Sequence, residues 1–170
     1  ILSGLVGSEM CIRDRLEGLN PTTLAKSRKS LADAEHIRQA MEQDGAALCE
    51  FFAWLDSALG RERITELTID ERLTAAREQR PGYVSLSFNT IAAFNANGAM
   101  PHYHATPEEH AVIEGDGLLL IDSGGQYLGG TTDITRMVPV GTPSAEQKRD
   151  CTRAVSYTHL TLPTNREVEI

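Results

Sequence analysis

Two aspartates in the second half of the chain have the residue type and setting of metal ligands. Asp122 ends the apolar run LLLI, and Asp133 lies within the β-branched run TTDITRMV. A carboxylate that points into a sheet is costly if it is left unpaired. A hairpin centred between Tyr127 and Leu128 places Asp122 directly opposite Asp133 on one face, although a bulge at Gly129-Gly130 would shift this register.

Two carboxylates side by side need a partner of opposite charge. They repel each other unless they share a proton or a cation. Hard oxygen ligands select Mn²⁺, Mg²⁺ or Ca²⁺, and a carboxylate pair is what a two-metal site needs. Taken alone, Asp122 is equally well a turn residue, and the alternative for Asp133 is a surface ion pair with Arg136. Taken together, the two aspartates favour a metal site.

The segment PHYH supplies the next candidates. His102 and His104 lie on a segment that we expect to be extended, so they share a face. Either is a potential metal ligand or proton donor. Exposed histidines on strands are common, however, and the spacing alone predicts no role for either residue.

The first part of the chain has helical patterns. A capping box at Ser30–Asp33 predicts a helix start, and apolar residues from Ile37 to Leu59 recur at a spacing of three to four until Gly60. A second capping box at 68–71 predicts a shorter helix that ends before Pro81.

Strand patterns follow. Residues 83–88 alternate in polarity, Leu118–Ile121 is apolar on both faces and is predicted to be buried, and 131–140 is rich in β-branched residues. Thr142-Pro143 then predicts the cap of another helix. Helices followed by antiparallel strands are typical of the α+β class, with helices packed on an antiparallel-rich sheet.

Composition excludes several classes of function. The chain has 170 residues, a formal net charge of -8 and 5% aromatic residues, so it lacks the basic face and stacking platform of a nucleic-acid binder. No apolar run approaches the length of a membrane span. Three widely spaced cysteines form no disulfide framework, and we expect a cytoplasmic protein.

Both ends of the chain resemble translated sequencing adapters. Codons for residues 10–14, MCIRD, can be chosen so that their reverse complement encodes VSYTH, which stands at residues 155–159. The longer stretches LVGSEMCIRDR and VSYTHLTLPTN also have this character. We therefore interpret residues 1–15 and 155–170 as non-native segments and exclude them from functional reasoning.

The remaining segment, residues 16–154, closely resembles a known family. The runs NGAMPHY, LLLIDSGGQYLGGTTDITR and VPVGTPSAEQK are similar to the catalytic domain of Xaa-Pro aminopeptidases (aminopeptidase P). These enzymes belong to the pita-bread metallopeptidases, a superfamily that includes creatinase, prolidase and methionine aminopeptidase. The resemblance implies that residues 16–154 are the N-terminal portion of a pita-bread catalytic domain.

The resemblance also implies a site and a reaction. Asp122 and Asp133 match the first two ligands of a dinuclear site, usually manganese, and His102 matches the histidine that contacts the substrate. His104 matches no functional position. The implied activity is release of the N-terminal residue that precedes proline, by a metal-activated water. The implied parent is a cytoplasmic homodimer that acts on peptides with proline in the second position.

Part of the family's ligand set is missing from this segment. One further histidine and two glutamates are expected downstream of the helix that begins near Pro143, so we expect this chain to be an inactive fragment that holds Mn²⁺ weakly. Two alternatives stay open. One is a prolidase or another pita-bread hydrolase, and the other is a non-catalytic pita-bread module that binds peptides or proteins.

Overall fold

The computed structural model describes residues 18–161, with side chains to residue 156. The predicted non-native residues 1–15 lie outside the described residues, as do residues 162–170 of the predicted tail. The boundaries at 16 and 154 therefore stay predictions. The chain divides into two units, Ile1–Ala34 and Glu35–Ile170.

In the first unit, short helix α1 spans Pro21–Ser27 and is capped by Asn20. The predicted capping box at the start of the next helix is confirmed. Asp33 N donates to Ser30 Oγ at 3.1 Å, and Ser30 N donates back to Asp33 Oδ2 at 2.9 Å. This reciprocal pair satisfies two backbone amides that have no partner within the helix.

Two long helices precede the sheets. Helix α2 spans Leu31–Ala58 and ends, as predicted, just before Gly60, which has a φ of +75°. Helix α3 spans Glu66–Glu78, so the predicted start at Thr68 is wrong by about a turn. Thr65 caps this helix instead, because it also forms a β-bridge with Val112 that fixes it outside the helix.

The described residues 18–161 contain six strands: β1 Tyr83–Leu86, β2 Ile91–Phe94, β3 Gly117–Ser123, β4 Gly125–Tyr127, β5 Gly130–Thr131 and β6 Ile134–Val140. They form two three-stranded sheets, ordered β1-β4-β5 and β2-β3-β6. All strand pairs are antiparallel, which confirms the α+β class. A short 3₁₀ helix, Asn95–Ala99, follows β2.

The core lies between one face of the β2-β3-β6 sheet and helices α2 and α3. Leu119 and Ile121 of β3 are buried there, together with Phe51 and Leu73 of the helices. Leu118 and Leu120, on the other face of β3, are only half-buried. The prediction that β3 is buried on both faces is therefore wrong for the described residues, since the helices cover only one face.

The register of the β3–β6 pair differs from the prediction by two residues. Asp122 pairs with Thr135 rather than with Asp133. The hairpin turns at Leu128-Gly129, because Tyr127 pairs with Gly130. A shift of two residues preserves the face on which side chains lie.

Helix α4 spans Ala145–Thr161. The predicted cap, Thr142, does not cap it, because the helix begins three residues later, at Ala145; Thr142 N donates instead to Asp116 Oδ1 at 2.7 Å. Ser144 and Gln147 form the capping box instead. Within residues 18–161, no helix is long and apolar enough to cross a membrane.

Candidate metal centre

Asp122 lies at the end of β3, on the face that points away from helices α2 and α3. Its side chain is half-buried, and Thr135 Oγ1 donates to its Oδ1 at 2.7 Å. This hydrogen bond crosses directly from the paired strand, so it orients the carboxylate without neutralising it. Oδ2 has no hydrogen-bond partner among the described residues.

Asp133 lies in a two-residue break between β5 and β6 and is exposed, so the prediction that a strand contains it is wrong. No hydrogen bond or ion pair holds its side chain within the described part of the chain. Arg136 donates to the Thr135 carbonyl at 2.8 Å and forms no ion pair with Asp133 there. The surface ion pair is therefore not observed, and the Asp133 carboxylate is available to a cation.

His102 lies in a tight turn and not in the extended segment that the sequence predicts. Tyr103 N donates to the Met100 carbonyl at 3.3 Å, Pro101 takes the second position, and His102 has a φ of +62°. This is the pattern of a type II turn, whose third position favours glycine. His102 and His104 are both exposed, and a non-glycine residue in the left-handed region is strained by about 1–2 kcal/mol.

The conformation of His102 can be tested with two substitutions that both remove the imidazole. We expect His102→Gly to be more stable than His102→Ala by about 1 kcal/mol, because glycine alone adopts a positive φ at no steric cost. Urea unfolding of both variants measures the difference. Equal stabilities would contradict a left-handed backbone at this position.

A buried charged cluster adjoins Asp122. Arg77 of α3 donates from Nε to Asp44 Oδ1 at 2.7 Å and from Nη2 to Ser123 Oγ at 3.1 Å. Tyr127 OH donates to the same Asp44 oxygen at 2.9 Å. Burial is the larger cause that raises the pKa of Tyr127, and this hydrogen bond raises it further. Asp44, Arg77 and Ser123 are each 0% exposed. The cluster thus ties the residue after Asp122 to helices α2 and α3.

A second buried network adjoins His102. Tyr103 OH donates to Glu66 Oε2 at 2.7 Å, and the same carboxylate accepts from the amides of Phe94 and Ala111 at 2.7 Å each and from Asn97 Nδ2. Burial raises the pKa of Glu66, but these hydrogen bonds outweigh it and the net pKa is lowered. Burial and the bond to Glu66 raise the pKa of Tyr103 to about 12.

Sequence reasoning did not find these supporting residues. Asp44 and Arg77 are 33 positions apart and Glu66 and Tyr103 are 37 apart, so no local pattern joins them. The sequence does contain one signal for such a residue, which is an ionisable side chain at a helix position that faces the core. Asp44 precedes the buried Ala47 and Leu48 in this way.

The residues present fit part of a dinuclear metal site. Asp122 and Asp133 offer hard carboxylate oxygens on one hairpin, and such ligands suit Mn²⁺ or Mg²⁺. No group of three or more His, Cys, Asp or Glu side chains with metal-binding geometry occurs in the described residues. The described part of the chain therefore offers two candidate ligands and not a closed coordination shell.

The fold is that of a metallopeptidase. The model of metallopeptidase family M24 matches residues 35–161, and the chain belongs to this family. It is 39% identical over 132 residues to a probable Xaa-Pro aminopeptidase P of Chaetomium globosum. The aligned region covers 76% of this chain and 21% of that protein. The chain thus spans about a fifth of this relative's length.

Solved structures agree with the family and with the pita-bread fold. X-prolyl aminopeptidase of Caenorhabditis elegans, described as a cytosolic enzyme with a di-nuclear active site, superposes with a TM-score of 0.69 at 34% identity, covering 75% of this chain and 21% of that one. A prolidase of Thermococcus sibiricus superposes with a TM-score of 0.60 at 26% identity, covering 75% and 33%. The predicted partial pita-bread fold is confirmed.

Proposed function

We propose that this chain carries the first two metal ligands and the substrate-contacting histidine of an Xaa-Pro aminopeptidase. The observation that supports this most directly is the pair of carboxylates on one hairpin, one held by a single hydroxyl and the other without a protein partner. The proposed substrate is a peptide with proline in the second position. The proposal includes Mn²⁺ as the metal, a cytoplasmic location and a homodimeric parent.

Each residue has a defined part in the proposed reaction. Asp122 and Asp133 hold the metal ions, and Thr135 orients the Asp122 carboxylate by donating to Oδ1. When bound, the metal pair supplies an activated water and polarises the carbonyl that precedes proline. His102, exposed at the tip of its turn, contacts the substrate and stabilises charge that develops on it.

A chimera tests this proposal. Residues 35–154 of this chain replace the aligned segment of the Caenorhabditis elegans enzyme, and hydrolysis of a tripeptide with proline second is measured with added Mn²⁺. We expect turnover by the chimera and loss of both turnover and bound metal on Asp122→Asn or Asp133→Asn. The 170-residue chain alone is expected to show no turnover, because it offers only two described ligands.

Asp56→Asn is the matched control, since Asp56 is exposed on α2 and far along the chain from the hairpin. It should leave turnover and metal content unchanged. A chimera that keeps full turnover and full metal content after Asp122→Asn would contradict the proposed ligand role. Hydrolysis of an Xaa-Pro dipeptide in preference to the tripeptide would favour a prolidase, the class of the Thermococcus sibiricus structure.

A non-catalytic binding module is the remaining alternative. A chimera that folds and binds the tripeptide but neither retains metal nor hydrolyses the peptide would favour it. The presence of Asp122, Asp133 and His102 together supports the enzyme, because a binding module needs none of these side chains for its fold.

A further inference from the structure

Asp133 lies outside the strand pairing of β3 and β6, so other contacts must fix its position. In the β3–β6 pair, the last partners are Ser123 and Ile134. Continuation of this register would place Asp133 opposite Gly124. The Gly124 carbonyl, however, accepts from Ser87 N at 3.1 Å. Among residues 18–161, no hydrogen bond to the backbone of Asp133 is observed, so its position depends on the residues on either side of it.

The neighbour on one side, Thr132, is held at three atoms. Its backbone N donates to the Gly125 carbonyl at 2.9 Å, its Oγ1 accepts from Gly125 N at 2.9 Å, and its carbonyl accepts from Ser87 Oγ at 2.9 Å. Thr132 is 1% exposed. This arrangement, which we call the Ser87–Thr132 clamp, holds the backbone and the hydroxyl group of the residue before Asp133.

Gly124 lies in close contact with both residues of the clamp. A Cβ atom at this position would lie 1.9 Å from the Thr132 carbonyl oxygen and 2.3 Å from Ser87 Oγ. Only glycine allows the two segments to approach this closely. The segments that carry Asp122 and Asp133 are thereby held together at a fixed separation.

We propose that Ser87 and Thr132 are positioning residues, which hold Asp133 where it coordinates metal together with Asp122. The inference rests on the proposed function and adds to it two residues that touch neither metal nor substrate. Hydrogen bonds that orient the ligands of a metal typically change its affinity about 10–100-fold when they are removed. A clamp with a purely structural role would alter stability and leave the affinity for metal unchanged.

The test uses Mn²⁺ alone as the probe and the 170-residue chain as the protein. Paramagnetic broadening of backbone amide resonances during a Mn²⁺ titration reports both the place of binding and the dissociation constant, even when binding is weak. We expect broadening centred on Asp122 and Asp133. Thr132→Val and Ser87→Ala should each weaken the affinity about tenfold or more, with native amide dispersion retained.

Matched controls exist beside each position. Ser85→Ala makes the same change two residues before Ser87, and Thr131→Val makes the same change next to Thr132; both residues are exposed. Neither control should change the dissociation constant. Thr132→Ser keeps the hydroxyl that accepts from Gly125 N, so it should restore affinity relative to Thr132→Val and identifies any effect that comes only from the lost methyl group.

The outcomes separate this inference from the proposed function. Equal affinity for Mn²⁺ in the unchanged chain, Thr132→Val and Ser87→Ala would overturn the positioning role alone. Failure of Thr132→Ser to restore affinity would also overturn it. Absence of broadening around Asp122 and Asp133 in the unchanged chain would overturn the proposed metal site and the inference with it.

Discussion

Replacement of Arg77 by methionine is expected to reduce the free energy of unfolding by about 3–5 kcal/mol, because it leaves a carboxylate buried without its ion-pair partner. Asp44 and Arg77 have 0% exposed side chains. Arg77 Nη1 has no hydrogen-bond partner among the described residues, so compensation of the guanidinium charge depends on Asp44 and Ser123. Urea unfolding at neutral pH measures the loss.

A double-mutant cycle separates the pair from its surroundings. The double variant Asp44→Leu/Arg77→Met removes both charges. Its free energy of unfolding should fall by less than the sum of the losses in the two single variants, because no unpaired buried charge remains. Arg38→Met is the control, since the Arg38–Glu35 pair is exposed and such pairs contribute at most about 1 kcal/mol. A loss for Arg77→Met no larger than that for Arg38→Met would refute the prediction.

Glu66→Gln is expected to have the second largest effect, about 2–4 kcal/mol at neutral pH. Both Glu66 oxygens accept hydrogen bonds, and a glutamine amide group would turn N–H bonds toward donors such as the backbone amide of Ala111. Each buried donor left without an acceptor costs about 1–3 kcal/mol. Glu71→Gln, at an exposed position on the same helix, is the matched control and should change little.

The same substitution should change how stability depends on pH. The pKa of Glu66 is lowered in the folded state from its ordinary value of 4.5. Its contribution is therefore fully present above pH 4.5 and is lost as the pH falls through the folded pKa. Across this acidic range, the free energy of unfolding should depend less steeply on pH in Glu66→Gln than in the unchanged chain. An identical slope would mean that the carboxylate titrates normally.

Local patterns were sufficient to predict the fold class and most elements. Helix α2, with its capping box at Ser30 and Asp33 and its end before Gly60, follows from periodicity and caps. The start of α3 was mispredicted because a distant residue, Val112, holds Thr65 in a bridge. Helix signals read along the chain do not include such contacts.

The predicted register of the hairpin is wrong for a similar reason. Its turn packs on α2, where a Cβ atom on Gly129 would lie 2.9 Å from His36 Cβ. This contact joins residues 93 positions apart and fixes Leu128-Gly129 as the turn. The choice of Asp122, Asp133 and His102 came from residue type and family resemblance, and their roles stay predictions. The clamp and the two buried networks lie beyond any local pattern.

Each of the three proposed functional residues lies next to a residue anchored in the interior: His102 beside Tyr103, Asp122 beside Ser123 and Asp133 beside Thr132. Asp133 and His102 are themselves exposed, whereas Ser123 and Thr132 are buried. The proposed functional side chains and the anchored residues thus occupy neighbouring positions of the same short segments. Substitution of Asp122, Asp133 or His102 is therefore expected to leave the hydrogen bonds of Ser123, Thr132 and Tyr103 in place.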